Sequence, residues 1–516
     1  MRLARQWSLS ALLLAAVIPL LGAAQSKLAA VGPDGRLHYT AYTAQGDMLP
    51  DFSHCGYGGG GVPLPVAAVR VTLEPHAGDS DDAPRMQKAI DEVSALPLGT
   101  DGLRGAVLLQ RGTYRCGTTL HIRASGVVLR GEGDGERGTS LIAAYAKPEP
   151  LIQVGGKAGP KAHAKSIEVT DAYVPVGANS LTVENAKDFA VGQTVFVIRR
   201  GNAAWIAETG MDHITPRPTD PKSTKQWSPF DLKFDRVVTA IAGNLLTFDA
   251  PVGCAIDRRW GGGAVQRYDD PDRIERCGVE SLRALSAYDK AKTAVQDKVL
   301  TEVDEEHATW LVGFGAVKNA WARHLTTDKF AHGPAVLQAA AKWVTVEDCA
   351  GRAPVSLITG GRRYTYNIQG AQLVLVQRCY ADEARHAFVF GSRVAGPNVF
   401  LDCRAEHNHA TSEPHERWSV AGLYDNVESD LALQDRQWMG TGHGWSGANY
   451  VAWNCRGTLI CQQPPTAQNF AIGFTGRRGK DAFSPRSAGW WESEGVPVAP
   501  RSLYEQQLQD RLSASR

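Results

Sequence analysis

The chain carries almost no net charge. Its 516 residues hold 55 Lys and Arg against 54 Asp and Glu, a formal charge of +1 with neutral His. So even a balance excludes a dedicated nucleic-acid binder and a polybasic membrane patch, because both work through excess positive charge. A local basic cleft is still allowed. Long apolar runs are also scarce. After residue 24 no segment reaches the ~18 apolar residues of a bilayer helix, so no membrane span is expected in the mature chain. Paired-cysteine metal motifs are missing. The nine Cys, at 55, 116, 254, 277, 349, 379, 403, 455 and 461, show no CxxC and no zinc-like spacing. Their odd number leaves at least one thiol unpaired, and several read as small buried apolar residues.

What is present points to a turn-rich β chain. Gly numbers 53, above the usual share, while 43% hydrophobic and 21% charged residues are ordinary for a globular protein. Residues 1–24 read as a secretory signal. Arg2 and Arg5 precede an apolar run over 9–21, and Gly22-Ala23-Ala24 offers small residues for cleavage before Gln25. An exported protein, periplasmic or extracellular, is expected.

The middle of the chain repeats. The segments WVTVEDC (343–349), LVLVQRC (373–379), NVFLDC (398–403), LYDNV (423–427) and NYVAWNC (449–455) end at intervals of 30, 24, 24 and 28 residues. Each is a short strand of β-branched or aromatic residues followed by polar turns. Periods in this range mean a solenoid, propeller or array. Helical solenoids need long 3.6-residue periodicity, which these segments lack, and propeller blades need ~40 residues. A parallel β-helix coil fits, with equivalent residues stacking about 4.8 Å apart. Cys349, Cys379, Cys403 and Cys455 then form one inward ladder.

Ahead of the repeats, residues 79–93 (DSDDAPRMQKAIDEV) place Asp-rich capping residues before Met86, Ile90 and Val93 at helical spacing. GAVLLQRGTY (105–114) and LHIRASGVVLRGEG (120–133) add strands broken by Gly. From Asp81 through VLLQRGTY and GVVLRGEG, and from about residue 276 to 460 by repeat spacing, the chain resembles the pectate lyase-like right-handed β-helix superfamily. The resemblance implies an all-β, right-handed parallel β-helix with an N-terminal capping helix. It leaves the reaction open, since that superfamily holds lyases, hydrolases, epimerases and non-catalytic spikes.

Two alternating β segments, 181–200 and 236–249, interrupt the coils, and the stretch between them is rich in Trp, Pro and Lys. This reads as a small inserted β domain, either a substrate wall or a decoration. The expected organisation is a signal at 1–24, an N-terminal extension at 25–75 and the cap with first coils at 76–165. An insertion at 166–260, coils carrying the cleft at 261–465 and a C-terminal extension at 466–516 follow. That extension ends in an amphipathic helix presenting Tyr504, Leu508 and Leu512.

Counting back from the strand ends places basic residues in register. His332 and Arg362 lie 17 before Cys349 and Cys379, with Arg363 adjacent, and His386 lies 17 before Cys403, with Arg385 adjacent. His415 and His443 lie 12 before Val427 and Cys455, with Arg417 near His415. Stacked coils turn these into a solvent-facing row suited to an anionic polymer. Tyr364, Phe388, Trp418 and Trp445 follow, to pack inward or to stack on sugar rings. His407 and His409 occupy a turn-rich loop at a coil corner, and with Glu406 they offer a metal pair without an obvious third ligand. The GHG at 442–444 resembles the GHG of pectin-degrading hydrolases, but the paired Asp those enzymes use is not found among Asp382, Asp402 and Asp425.

These residues point to β-elimination on an acidic, uronate-containing glycan. A cation must neutralise the carboxylate, a base must take the adjacent carbon proton, and an acid must protonate the leaving oxygen. Arg363, Arg385 or Arg417 suits the first role through two-pronged binding. His415 or His386 suits the second, and Tyr364 or His443 the third. Arg362, Arg417, His332, His409 and Trp445 are expected to bind the chain. No cofactor is implied with certainty; calcium is compatible. The rival readings are a glycoside hydrolase, drawing carboxylates from Asp382, Asp402, Glu406 and Asp425, and a non-catalytic glycan-binding β-helix.

Overall fold

The computed structural model describes residues 24–514 apart from 77, 79, 482 and 484. The expected signal therefore lies outside the described residues except for Ala24, which opens a short strand pairing with Val498. Most of the chain winds as a right-handed parallel β-helix with three sheet faces. No helix among the described residues is long and apolar enough to cross a membrane.

The first face has the register anticipated from the repeats. Glu347 pairs with Gln377, Gln377 with Leu401, Leu401 with Asp425 and Asp425 with Trp453. The intervals are again 30, 24, 24 and 28 residues. Each coil leaves this face through a left-handed residue: Asp348, Arg378, Asp402, Asn426 and Asn454, at φ 54°, 51°, 51°, 53° and 50°. Asp and Asn tolerate that region best among residues with a Cβ. The next residue turns inward, and Cys349, Cys379, Cys403, Val427 and Cys455 are all buried. A small side chain fits this sharp bend, and the thiols lie against nearby carbonyls, such as Cys349 Sγ on Glu347 O at 3.2 Å. All nine Cys are free and buried, so they serve packing.

The helix Ala83–Ala95 buries Met86, Ile90 and Val93 against the first coils. Its acidic residues do more than expected of caps. Asp82 makes no side-chain cap and instead accepts the Arg115 amide at 2.8 Å, while Asp81 accepts those of Ala83 and Gly117. They tie the cap to the coil beneath it. The outer side of the first face is covered by the N-terminal extension and the C-terminal helix Leu503–Ala514, through Phe52, Cys55, Leu503 and Tyr504. That helix buries Tyr504 and Gln507, while Leu512 is 39% exposed; its buried face is rotated from the one expected. Gln507 turns inward because its amide accepts from Phe52 N and donates to Pro50 O.

The insertion is a six-stranded antiparallel sheet, opened by Lys161–Glu168 and closed by Gly263–Asp269. It is wider at both ends than 166–260. A buried charge network fixes its base: Asp235 accepts from Lys342 (2.8 Å), Arg273 (3.0 Å) and Tyr268 Oη (2.6 Å). Burial alone would raise the Asp235 carboxyl, but Lys342 and Arg273 hold it at about 2.

Candidate active site

The third face consists of seven parallel strands, from Leu120–Ile122 to Glu413–Glu416. Its last three strands, Tyr364–Ile368, His386–Ser392 and Glu413–Glu416, floor a cleft of about 730 Å³. Loop 359–361 and segment 436–443 form walls. Arg217 reaches the cleft from the insertion, and Trp227 Nε1 donates to Gly442 O at 3.1 Å. The insertion is thus a wall of this cleft.

At the floor, Tyr364 Oη lies 3.0 Å from His415 Nε2. His415 Nδ1 lies 3.0 Å from Glu413 Oε1 and 2.7 Å from Arg436 Nη1. A carboxylate only accepts and a guanidinium only donates, so these neighbours select opposite tautomers. With Nδ1–H on Glu413, Nε2 accepts the tyrosine hydroxyl. With Nδ1 accepting from Arg436, Nε2–H donates to Tyr364 Oη. In either tautomer the Tyr364–His415 contact is a hydrogen bond, with its direction reversed. Burial, reinforced by Arg436, His443 and Arg385, holds His415 well below the ordinary imidazole value. Burial also pushes Tyr364 up to about 12. At neutral pH the pair is an uncharged imidazole beside a protonated phenol.

The remaining residues frame this pair. Arg385 Nη1 is 3.4 Å from Tyr364 Oη and lines the cleft. His443 Nδ1 is 3.0 Å from Glu416 Oε2, which Arg417 also holds at 2.6 Å. Burial alone would raise Glu416, but His443 and Arg417 keep it at about 2. Gly440 makes room for this histidine: at φ 57° a Cβ there would stand 2.1 Å from the His443 ring.

Several expected site residues sit elsewhere. His332 is half-buried and stacks on Trp310 at 3.8 Å, with Tyr364 N–H donating to its Nδ1; desolvation drops it to about 3. Arg363 is buried and donates twice to Ser356 O, at 3.0 and 2.8 Å. His386 is buried beneath His415, its Nδ1 on Thr411 O at 2.5 Å. Trp445 is buried in the cluster joining the insertion to the coils, and Phe388 and Trp418 also pack inward. Arg362 pairs with Glu305, and His409 lies 3.8 Å from Asp297, both away from the cleft lining. Thus the basic row is no continuous solvent-facing ladder. Its register also breaks: Tyr364 pairs with His386, but Ser392 pairs with Glu416, which moves His415 along its strand.

The carboxylates expected for hydrolysis are engaged elsewhere. Asp382 binds His407, Asp402 binds Arg501, and Glu406 binds Tyr380 and Arg404. Asp425 is buried under Ser502 and Tyr504. Glu416 is the one carboxylate among the described residues lining the cleft. Glu413, Glu416, Arg436 and Arg217 escaped the sequence reading. The two Glu flank His415 in EPHER (413–417), a local signal, whereas Arg436 and Arg217 carry none.

His386, Glu413 and His415 hold ligand atoms within 4.8 Å of one another. Arg436 Nη1 lies 2.9 Å from Glu413 Oε1 and 2.7 Å from His415 Nδ1, so two of the three already face a guanidinium. Two imidazoles and one carboxylate shared with a guanidinium do not fit calcium, which takes six to eight oxygens.

No family profile matches the chain, and no curated protein sequence matches it. Among solved structures, it is similar to the tailspike gp49 of Pseudomonas phage LKA1 (12% identity, TM-score 0.46, covering 77% of this chain and 57% of that one). It is also similar to the tailspike gp61 of Pseudomonas phage phi297 (14%, 0.45, 82% and 68%). A third likeness is to the Streptococcus pneumoniae surface adhesin PfbA (10%, 0.37, 83% and 90%). The chain spans little more than half of the first. All three scores are below 0.5, and no functional argument rests on them.

Proposed function

We propose that this protein is an exported polysaccharide lyase, pectate lyase-like in architecture, that cleaves a uronate-containing glycan in the third-face cleft. The observation that carries the reading is the 3.0 Å Tyr364–His415 pair, uncharged at neutral pH and opening on a cleft bordered by Arg385. Arg385 binds the uronate carboxylate and acidifies the adjacent C5 proton. With Nδ1–H on Glu413, His415 Nε2 takes that proton. The C5–H electrons form the C4–C5 double bond, the C4–O bond breaks, and Tyr364 protonates the departing oxygen. The proton gained by His415 then crosses to the Tyr364 phenolate, and both groups return to their starting forms. Glu413 and Arg436 position the imidazole.

Base and acid stand side by side and act on one face of the sugar. That suits syn elimination, the relation of H5 to O4 in 4-linked glucuronate and mannuronate. Galacturonate, guluronate and iduronate hold the two groups anti. The test is ultraviolet absorbance of unsaturated product from the purified protein on all five uronate types, with and without chelator. Product from glucuronate or mannuronate chains, lost in His415→Ala and Tyr364→Phe, supports the reading. New reducing ends without absorbance would replace it with hydrolysis, and binding without either with a non-catalytic role.

A further inference from the structure

A second cavity, of about 650 Å³, lies where the N-terminal extension, the insertion and the last coils meet. Its lining shares no residue with the cleft, although Glu416 lines the cleft and Trp418, two residues on, lines this cavity. Arg199, the last residue of strand Thr194–Arg199, also lines it. Arg199 is 4% exposed, and its guanidinium stacks on Trp205 at 3.8 Å. Among the described residues that guanidinium makes no hydrogen bond and no ion pair, and Nη1 is buried without a partner.

Two other buried arginines, Arg236 in the insertion and Arg273 at its base, show what is missing. Arg236 donates to the carbonyls of Ala250, Asp235, Pro251 and Gly396. Arg273 binds Asp235, Asp270 and Tyr268. Buried polar groups are normally satisfied, and an unpaired buried charge is costly. Arg199 faces a cavity instead of a partner, which is the arrangement of a site that receives an anion. The rest of the lining narrows the ligand. Tyr42, Trp260 and Trp490 offer apolar ring faces, while Asp257 and Asp47, the latter already accepting from Thr43, Tyr173 and Val176, disfavour a multiply charged anion.

We propose that this cavity binds one carboxylate-bearing sugar unit, with its carboxylate on Arg199 and its ring against the aromatic residues. The site is independent of the chemistry in the cleft and stands even if no cleavage occurs there.

The test is calorimetric titration of the full-length mature protein with monomeric glucuronate and galacturonate, and with glucose as the neutral control. The wild type is expected to bind a uronate at least tenfold more tightly than glucose. Arg199→Leu should lose tenfold or more, while His415→Ala, in the cleft, should bind as the wild type does. Arg199→Leu removes an unpartnered charge, so it should fold; Trp260→Ala is a second probe and should weaken binding several-fold. Equal affinity for uronate and glucose would overturn the proposal. So would unchanged binding in Arg199→Leu, binding lost in His415→Ala but kept in Arg199→Leu, or no uronate binding at millimolar concentration. Absence of turnover bears on the cleft reading alone.

Discussion

His332 and His415 belong to the same row of basic residues, yet they live in different surroundings. His332 lies flat on Trp310 and accepts the Tyr364 amide, and desolvation leaves it about 3. Its ring is not part of the cleft lining. His415 is held by Glu413 and Arg436 on one nitrogen, while the other meets a phenol at the floor of an open cleft. Desolvation lowers both histidines; of the two, His415 lines the cleft. A depressed histidine is therefore not by itself a sign of chemistry. What separates the two is a phenol on the ring nitrogen and an open cleft beside it.

The largest expected effect tests the open end of this comparison. Tyr364→Phe and His415→Ala should each lower turnover by about 10²–10⁴-fold, the range for a missing general acid or base, with substrate affinity changing much less. Comparing kcat with KM on the preferred uronate polymer checks this; a loss confined to KM would reduce both residues to binding roles.

Next is the closed end. Arg363→Met leaves Ser356 O with only the 3.5 Å contact of Gln296 Nε2, at a cost of about 1–3 kcal/mol for unmade buried bonds. Denaturant unfolding should show that loss, while turnover per folded molecule stays within about twofold, far below the tenfold effect of ~1.4 kcal/mol on a barrier. A turnover defect matching that of His415→Ala would erase the distinction between the two ends.

The pH profile sharpens the contrast. A base must be neutral, and His415 is neutral above a value held well below 6.5. Turnover should therefore persist below pH 6.5 and fall only as pH drops through that lowered value. Tyr364, raised to about 12, keeps its proton through the alkaline range. An acid limb centred at or above 6.5 in kcat/KM would assign the base to a different group.

The smallest effect lies far from the cleft. Burial raises Asp425 to about 7 despite hydrogen bonds from Tyr504 N and Ser502 Oγ. A carboxyl raised on folding favours the folded state fully below its unfolded value of 3.8, and that benefit is lost as pH climbs to about 7. The melting temperature of the wild type relative to Asp425→Asn should therefore fall between pH 4 and 7. A constant difference would contradict this. Turnover should not follow it.

The sequence by itself determined the winding. Strand ends at 349, 379, 403, 427 and 455 reappear as register intervals because a parallel β-helix repeats its inward residues once per coil, and a small residue must follow each left-handed bend. Of the residues it singled out, Arg385, Tyr364, His415 and His443 line one cleft. It could not sort these from the rest. Counting back assumed equal coils, whereas the strand bearing His415 is shifted against its neighbour, and alternation does not reveal which side chains meet a neighbour's ring. Only the tertiary structure brought Glu413 and Arg436 onto one imidazole nitrogen, carried Arg217 in from the insertion, and left Arg199 facing an open cavity. Those contacts join residues far apart in sequence, so local pattern holds no record of them.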